Sequence, residues 1–111
     1  MGQLYFEILG VFDNDQLQWY VKDKRKLALY FTASWCGLSA AIRSTIYRLS
    51  QKYKDIIFLE AYIEDFSDVL DEYGVRTTPT VVFFQDGERL NAIVGPNPYE
   101  IYAETIDTIF T

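Results

Sequence analysis

The 111-residue sequence contains no histidine and a single cysteine, Cys36. Without histidine the chain has neither a Ser–His–Asp triad nor a histidine-ligated metal site. One cysteine cannot close an intramolecular disulfide, so the chain is not a small secreted scaffold held together by disulfides. The sequence also contains no phosphate-binding loop, nucleophile elbow or metal cluster, and it therefore predicts no cofactor and no metal. Any thiol chemistry must depend on one sulfur atom.

Long hydrophobic segments are missing as well. No apolar run approaches the ~20 residues that a membrane-spanning helix needs. Residues 1–15 (MGQLYFEILGVFDND) have neither the basic start, nor the apolar core, nor the small-residue cleavage site of a signal peptide. From these absences the sequence predicts a cytoplasmic protein that does not associate with membranes.

Basic residues are scarce: 10 lysines and arginines stand against 16 aspartates and glutamates, which gives a net charge of −6. A protein that binds nucleic acid needs a basic stripe, so we predict no nucleic-acid partner. The basic residues at 22–26 are interpreted as a solvated helix end, where cations interact favourably with the last carbonyl groups. An acidic band between Glu60 and Glu72 is either a solvated helix and loop or a docking face for a basic partner.

Apolar residues are abundant and make up 50% of the chain. Short apolar runs predict strands at residues 3–9, 27–33, 56–64, 80–85 and 89–95. Apolar residues at helical spacing predict helices after residue 13 and at 37–54, 67–74 and 99–110. Strand–helix alternation that ends in a hairpin indicates one α/β domain over residues 1–111, with a central mixed sheet and helices on both faces.

Two of the predicted helix ends are marked by their own residues. Asp13 is a preferred N-cap residue, and Gln16 follows it three positions later, as in a capping box. Gly74 suits the left-handed backbone conformation that closes many helices. We therefore expect one helix to begin directly after Asp13 and another to end at Gly74.

Three separated segments carry a resemblance to a known family. They are residues 31–37 (FTASWCG), 73–80 (YGVRTTPT) and 92–95 (AIVG). Together with the order of elements, they make the chain similar to the thioredoxin family along nearly its whole length, which implies a thioredoxin-like α/β fold. The family pattern Trp-Cys-Gly-Pro-Cys is Trp-Cys-Gly-Leu-Ser here, so the chain resembles a divergent monothiol, Cys-x-x-Ser member.

The resemblance implies roles for individual residues. Cys36 matches the family's nucleophilic cysteine, and Ser39 takes the place of its resolving cysteine. Tyr30 takes the place of a buried carboxylate, and Glu60 that of the lysine that partners this carboxylate. Ser44 replaces a proline in the helix that follows. Tyr30 and Glu60 either tune the thiol or form a buried polar pair with a purely structural role.

One sulfur suffices for half of the family's reaction. Disulfide reduction takes two displacements, first by one thiolate and then by a second thiol. Ser39 cannot perform the second displacement, because its alkoxide is inaccessible at neutral pH and no stable S–O bond results. Cys36, favoured as a thiolate at a helix N-terminus, can still form mixed disulfides with protein thiols that glutathione or a second substrate cysteine resolves. The expected activity is monothiol exchange or isomerisation; whether the chain is an enzyme stays open.

A groove beside Cys36 supports a second hypothesis. In the family one proline, here Pro79, is cis, and the backbone of the residue before it pairs with an extended substrate. The resemblance assigns to this groove Trp35, Gly37, Leu38, Thr78, Pro79, Val94 and Gly95. Leu38 is either part of this surface or a packing residue at the helix start. Because partner capture needs no thiol, the alternative function is a redox-inactive adaptor with Cys36 as a residual cysteine.

Overall fold

The computed structural model describes residues 8–11, 13–22, 25–35, 37 and 39–110. In this part of the chain the structure has the strands Ile8–Val11 (β1), Lys26–Thr32 (β2), Ile56–Tyr62 (β3), Thr80–Gln85 (β4) and Glu88–Val94 (β5). The same residues form the helices Asn14–Lys22 (α1), Ser39–Lys52 (α2), Ser67–Tyr73 (α3) and Tyr99–Ile109 (α4), and a 3₁₀ turn at Ile63–Asp65. The order of elements is the predicted one, although residues 3–7 of the first predicted strand lie outside the described residues.

The strands form one mixed sheet in the order β1-β3-β2-β4-β5. β2 pairs in parallel with β3 and antiparallel with β4, and β4 continues into an antiparallel hairpin with β5. Residues 27–32 of β2 are all buried. A strand at the centre of a sheet that is covered on both faces reads as a near-continuous apolar run, which explains the sequence of β2.

Helices cover both faces of the sheet, as predicted. Leu29 and Phe31 of β2 belong to one apolar cluster with Leu17 of α1. Tyr30, which lies between them in the strand, belongs to a second cluster with Ile46 of α2 and residues of α4. Successive strand residues point to opposite faces, so β2 contributes to both cores. The fold is therefore the thioredoxin-like α/β fold that the sequence predicted.

Both marked helix ends are confirmed. The backbone N–H of Gln16 donates a hydrogen bond to Asp13 Oδ1 at 2.8 Å, which satisfies one of the unpaired donors at the start of α1. Gly74 has a φ of 74°, and its N–H donates to the Asp71 carbonyl oxygen at 3.2 Å. A residue with a Cβ adopts this conformation at a cost, which accounts for the glycine at the end of α3.

Two predicted elements extend two or more residues beyond the observed ones. α2 spans Ser39–Lys52 rather than 37–54, and β3 ends at Tyr62 because the chain turns into the 3₁₀ segment that follows. Glu60 lies inside β3, as the predicted strand required, and is only 9% exposed. Its inclusion in a solvated acidic band is therefore wrong, whereas Glu64, beyond the strand, is exposed.

A membrane-spanning helix and a cluster of metal ligands are both absent from the part of the chain that the structure describes. There, no helix combines the length and the apolar character needed to cross a bilayer. Nor does that part group three or more histidine, cysteine, aspartate or glutamate side chains in a way that could hold a metal ion.

Candidate functional site

Three strand ends meet where the predicted site residues lie. Phe31, near the end of β2, pairs with Thr80 at the start of β4, and Thr80 pairs with Val94 at the end of β5. The loops that follow β2, precede β4 and follow β5 therefore adjoin one another at the same end of the sheet. The fold thus brings together predicted site residues from three separate segments of the sequence.

The loop after β2 carries the Trp-Cys-Gly motif and leads into α2. The side chain of Trp35 is 69% exposed. Gly37 is also exposed, and a Cβ added there would meet no atom within 4 Å. Ser39 is the first residue of α2. Cys36 and Leu38 lie outside the described residues, so their roles remain predictions, but the residues on both sides of Cys36 are open to solvent.

Ser34, two residues before Cys36, is anchored to the 3₁₀ turn after β3. Its backbone N–H and its hydroxyl both donate to Glu64 Oε2, at 3.3 and 2.6 Å. The hydrogen bond from the Ser34 hydroxyl holds the pKa of Glu64 below its ordinary value, because it favours the charged carboxylate. No pattern in the sequence signals this contact, which ties the segment that leads to Cys36 to the end of β3.

The opposite side of the site is built from the start of β4 and the end of β5. The Thr78–Pro79 peptide bond is cis. The N–H of Gly95 donates to the Pro79 carbonyl oxygen at 2.8 Å, so the two loops are hydrogen-bonded to each other. Pro79 is buried and Thr78 half-buried, while Val94 is 58% exposed. These four predicted groove residues are neighbours in the structure.

Two residues that the sequence did not single out hold Gly95 in place. The Tyr102 hydroxyl donates to the Gly95 carbonyl oxygen at 3.2 Å. Asn97 Nδ2 donates to the same oxygen at 3.0 Å and to the Val94 carbonyl oxygen at 3.1 Å. Burial raises the pKa of Tyr102, so its hydroxyl stays a neutral donor at physiological pH. Asn97 lies between two prolines, a turn signal that was available; Tyr102 looked like an ordinary core residue.

Tyr30 and Glu60 are neighbours beneath α2. They pair in register across β2 and β3, and both are buried, at 1% and 9% exposure. Arg43 Nη2, on the second turn of α2, lies 3.4 Å from Glu60 Oε1. The sequence did not indicate this ion pair, because its members are far apart along the chain. The buried carboxylate of Glu60 is thus paired with an arginine that is itself half exposed.

Comparisons with known proteins agree with this arrangement. A family model described as Thioredoxin matches residues 9–108. The chain is 36% identical over 80 residues to a Thioredoxin H-type of Picea mariana, which is 72% of this chain and 64% of that protein. It is 37% identical over 73 residues to human Thioredoxin, which is 66% of this chain and 70% of that protein. The chain spans less than two thirds of the first relative, and 48% of a Pyricularia oryzae Thioredoxin-2.

Solved structures match over a larger share of the chain. One belongs to a study of the thiol resolving mechanism in yeast mitochondrial 1-Cys peroxiredoxin via glutathione/thioredoxin systems. It aligns with a TM-score of 0.80 and 28% identity over 90% of this chain and 94% of that one. A mutant thioredoxin from Halobacterium salinarum aligns with a TM-score of 0.83 and 25% identity, over 93% and 90% of the two chains.

Proposed function

The chain belongs to the thioredoxin family, and on that premise we propose that it is a monothiol exchange protein whose Cys36 forms mixed disulfides with protein substrates. The observation that carries the proposal is the exposure of Trp35 and Gly37, which flank Cys36 directly before α2. A cysteine between two exposed residues at a helix start is placed to meet a protein disulfide. Its substrates are protein thiols and disulfides, and its resolving thiol is external.

The first step is a single displacement at sulfur. The Cys36 thiolate attacks one sulfur of a substrate disulfide, the substrate S–S bond breaks, and a new S–S bond joins Cys36 to the substrate. The other substrate sulfur leaves as a thiolate and takes a proton from water. Ser39, the first residue of α2, has no thiol with which to displace the bound substrate. The mixed disulfide therefore persists until an external thiol reacts with it.

The second step uses glutathione as the resolving thiol. Its thiolate attacks the Cys36 sulfur, which releases the substrate as a thiolate and leaves glutathione bound to Cys36. A second glutathione then attacks the glutathione sulfur, regenerates the Cys36 thiolate and leaves as oxidised glutathione. One similar structure supports the idea, because the study it belongs to connects thiol resolution in a yeast mitochondrial 1-Cys peroxiredoxin with glutathione and thioredoxin systems.

The groove on the β4–β5 side supports substrate recognition. Val94 and Trp35 present exposed apolar side chains, and the half-buried Thr78 precedes Pro79, whose carbonyl oxygen accepts the hydrogen bond from Gly95. An extended peptide can add to such a surface through backbone hydrogen bonds, with side chains resting on the apolar residues. The same exposed pair favours a second candidate function, a redox-inactive adaptor that captures a partner in this groove without using Cys36.

The experiment that tests the proposal measures transfer of glutathione. The full chain is incubated with oxidised glutathione and followed by intact-mass spectrometry, with the Cys36→Ser variant as control. We expect the chain to gain the mass of one glutathione faster than an unstructured cysteine peptide does, and the variant to gain none. Reduced glutathione should then remove the adduct, and the chain should accelerate reduction of hydroxyethyl disulfide by glutathione. An adduct rate no greater than that of the peptide would contradict the thiol chemistry and favour the adaptor.

A further inference from the structure

Charge is segregated between the two helices that cover one face of the sheet. α2 contains Arg43, Arg48 and Lys52 and no acidic residue, whereas α4 contains three acidic residues and no basic one. The buried residues of both helices belong to the same apolar cluster, so the helices lie on the same face. This side of the molecule therefore presents a basic helix next to an acidic helix, in a chain whose net charge is −6.

The two helices run side by side in the same direction. The guanidinium of Arg48 lies 4.3 Å from the ring centroid of Tyr99, the first residue of α4. The hydroxyl of Tyr53, which directly follows α2, donates to Asp107 Oδ1 at 2.9 Å and to the Ala103 carbonyl oxygen at 3.3 Å. Along the common direction of the two helices, residue 48 therefore lies at the same height as residue 99, and residue 53 lies at the height of residues 103 to 107.

Some of these charged side chains form an ion pair or a hydrogen bond with another described residue, and others form neither. Arg43 pairs with Glu60, and Asp107 accepts the Tyr53 hydrogen bond. In the described part of the chain, neither ion pair involves the remaining charges of the two helices, although Arg48 lies over the Tyr99 ring and Lys52 Nζ lies 5.3 Å from the centroid of the Tyr53 ring. The α2–α4 face is defined here by its exposed residues Tyr47, Arg48, Lys52, Glu100, Ile101 and Glu104. Two of them are apolar or aromatic: Tyr47 is 49% exposed and Ile101 is 41% exposed.

We propose that the α2–α4 face binds a second copy of this chain in a two-fold symmetric dimer. A two-fold axis in the interface that is perpendicular to the helices would place basic α2 on basic α2, and like charges would meet. An axis parallel to the helices places α2 of each protomer on α4 of its partner, so that opposite charges meet twice. The charge pattern therefore selects the second arrangement. This inference does not depend on the thiol chemistry of Cys36.

The levels of the helices specify the contacts. Because Arg48 is level with the start of α4, the parallel axis places it opposite Glu100 of the partner subunit. Lys52, one turn later, faces Glu104 of the partner subunit, and symmetry repeats both contacts. Ile101 lies on the same face and supplies apolar area. Because charges at an interface contribute more to orientation than to affinity, we expect a weak dimer that high salt dissociates.

Charge-swapped variants test this arrangement. All measurements use the Cys36→Ser background, which removes disulfide-linked dimers, and sedimentation at low salt over a range of concentrations. We expect the parent to dimerise, and both R48E/K52E and E100K/E104K to self-associate about tenfold or more weakly, because each variant opposes like charges. Mixed in equal amounts, the two variants should restore the dimer, since each then meets the opposite charge on both helices.

Matched controls separate this interface from general charge effects. Lys22→Glu on α1 and Glu72→Lys on α3 change exposed charges on the other face of the sheet and should leave dimerisation unchanged. Circular dichroism checks that every variant is folded. A parent that stays monomeric at all concentrations overturns the proposal. So does a dimer that the α2 and α4 variants do not weaken, or that mixing does not restore, because such a dimer uses another surface.

Discussion

The two sides of the candidate site differ in the contacts that their described residues make. On the β4–β5 side, Gly95 donates to the Pro79 carbonyl oxygen and accepts hydrogen bonds from Asn97 and Tyr102. On the α2 side, the described contact that anchors the segment before Cys36 is the exposed pair of Ser34 with Glu64. A surface held from several directions keeps its shape, which suits recognition. Among the described residues, the contacts of Gly95 thus come from two loops and from α4, and that of Ser34 comes from the 3₁₀ turn after β3.

The two sides also differ in how far they follow the family pattern. The β4–β5 side has the residues that the resemblance implies for a groove. On the α2 side, Ser39 replaces a thiol, and Tyr30 with the Glu60–Arg43 pair replaces a carboxylate and its lysine. The proposed recognition and the proposed thiol chemistry therefore rest on different segments of the chain. Both proposed functions use the groove, and only the chemistry on the α2 side distinguishes them.

The largest effect is expected where the groove joins the core. Tyr102 is fully buried and its hydroxyl holds Gly95. Replacing it by alanine should lower the free energy of unfolding by about 3–5 kcal/mol, as for other large buried rings. Tyr102→Phe keeps the ring and should lose only the hydrogen bond, about 1 kcal/mol. Urea unfolding of both variants measures this difference, and a phenylalanine variant as stable as the parent would show that the hydroxyl does not hold the groove.

A smaller effect is expected for Asn97, which contacts only the groove backbone. Asn97→Ala removes the hydrogen bonds to the carbonyl oxygens of Val94 and Gly95 and should lower the unfolding free energy by about 1 kcal/mol. Mixed-disulfide formation with an extended peptide disulfide should slow about fivefold, the factor that corresponds to ~1 kcal/mol. Hydroxyethyl disulfide is too small to use the groove and should react at the parent rate. Equal slowing of both reagents would mean that Asn97 acts on the thiol side.

The order of elements could be predicted because each has a local cause. The buried run of β2, the Asp13 cap and the left-handed Gly74 are properties of short segments, and the structure contains all three. The pairing of Thr80 with Val94 depends on the hairpin, which the sequence predicted, and on an irregularity between Phe83 and Phe84 that shifts the register by one residue, which it did not predict. The groove could be predicted to the extent that it depends on such local elements and on the family resemblance.

The parts of the site that the sequence did not predict depend on contacts between segments that are distant along the chain. Arg43 reaches Glu60 only because α2 packs over β3, and the Tyr102 hydroxyl reaches Gly95 only because α4 folds back on β5. Neither contact leaves a periodic or compositional trace. The inclusion of Glu60 in a solvated acidic band was wrong for a related reason, because the burial of one strand residue depends on the helix that packs over it. Contacts between side chains on different helices and strands therefore cannot be predicted from this one sequence.

Restoring the second thiol should change activity only slightly. Ser39→Cys re-creates the dithiol pattern, but Tyr30 and Glu60 still stand in place of the family's carboxylate and lysine. We expect weak reduction of insulin disulfides by this variant. A triple variant that adds Tyr30→Asp and Glu60→Lys should be faster by about a hundredfold, since acid–base assistance contributes ~10²–10⁴-fold. Full activity from Ser39→Cys alone would show that the two buried positions do not limit the reaction.

The smallest effect is expected at the exposed anchor of the thiol segment. Hydrogen bonding to Ser34 lowers the pKa of Glu64 from its ordinary value of 4.5. When the pKa of a carboxyl group is lower in the folded chain than in the unfolded chain, the group stabilises the fold at any pH above its unfolded pKa. This stabilisation disappears as the pH falls through the lower pKa of the folded chain. Glu64→Gln should therefore lower stability slightly at neutral pH, and its effect should shrink as the pH falls through the lowered pKa of folded Glu64, because the protonated carboxyl group is then as neutral as the glutamine.

Comparing Glu64→Gln with a neighbour separates the anchor from general charge. Asp65 follows Glu64 in the same 3₁₀ turn, and Asp65→Asn removes the same charge. Urea midpoints of the parent and both variants, measured at neutral and acidic pH, should show a pH-dependent difference for Glu64→Gln that exceeds the one for Asp65→Asn. Equal differences would attribute the effect to the loss of negative charge alone. The Ser34 contact would then not anchor the segment that leads to Cys36, and the two sides of the site would differ even more in how they are held.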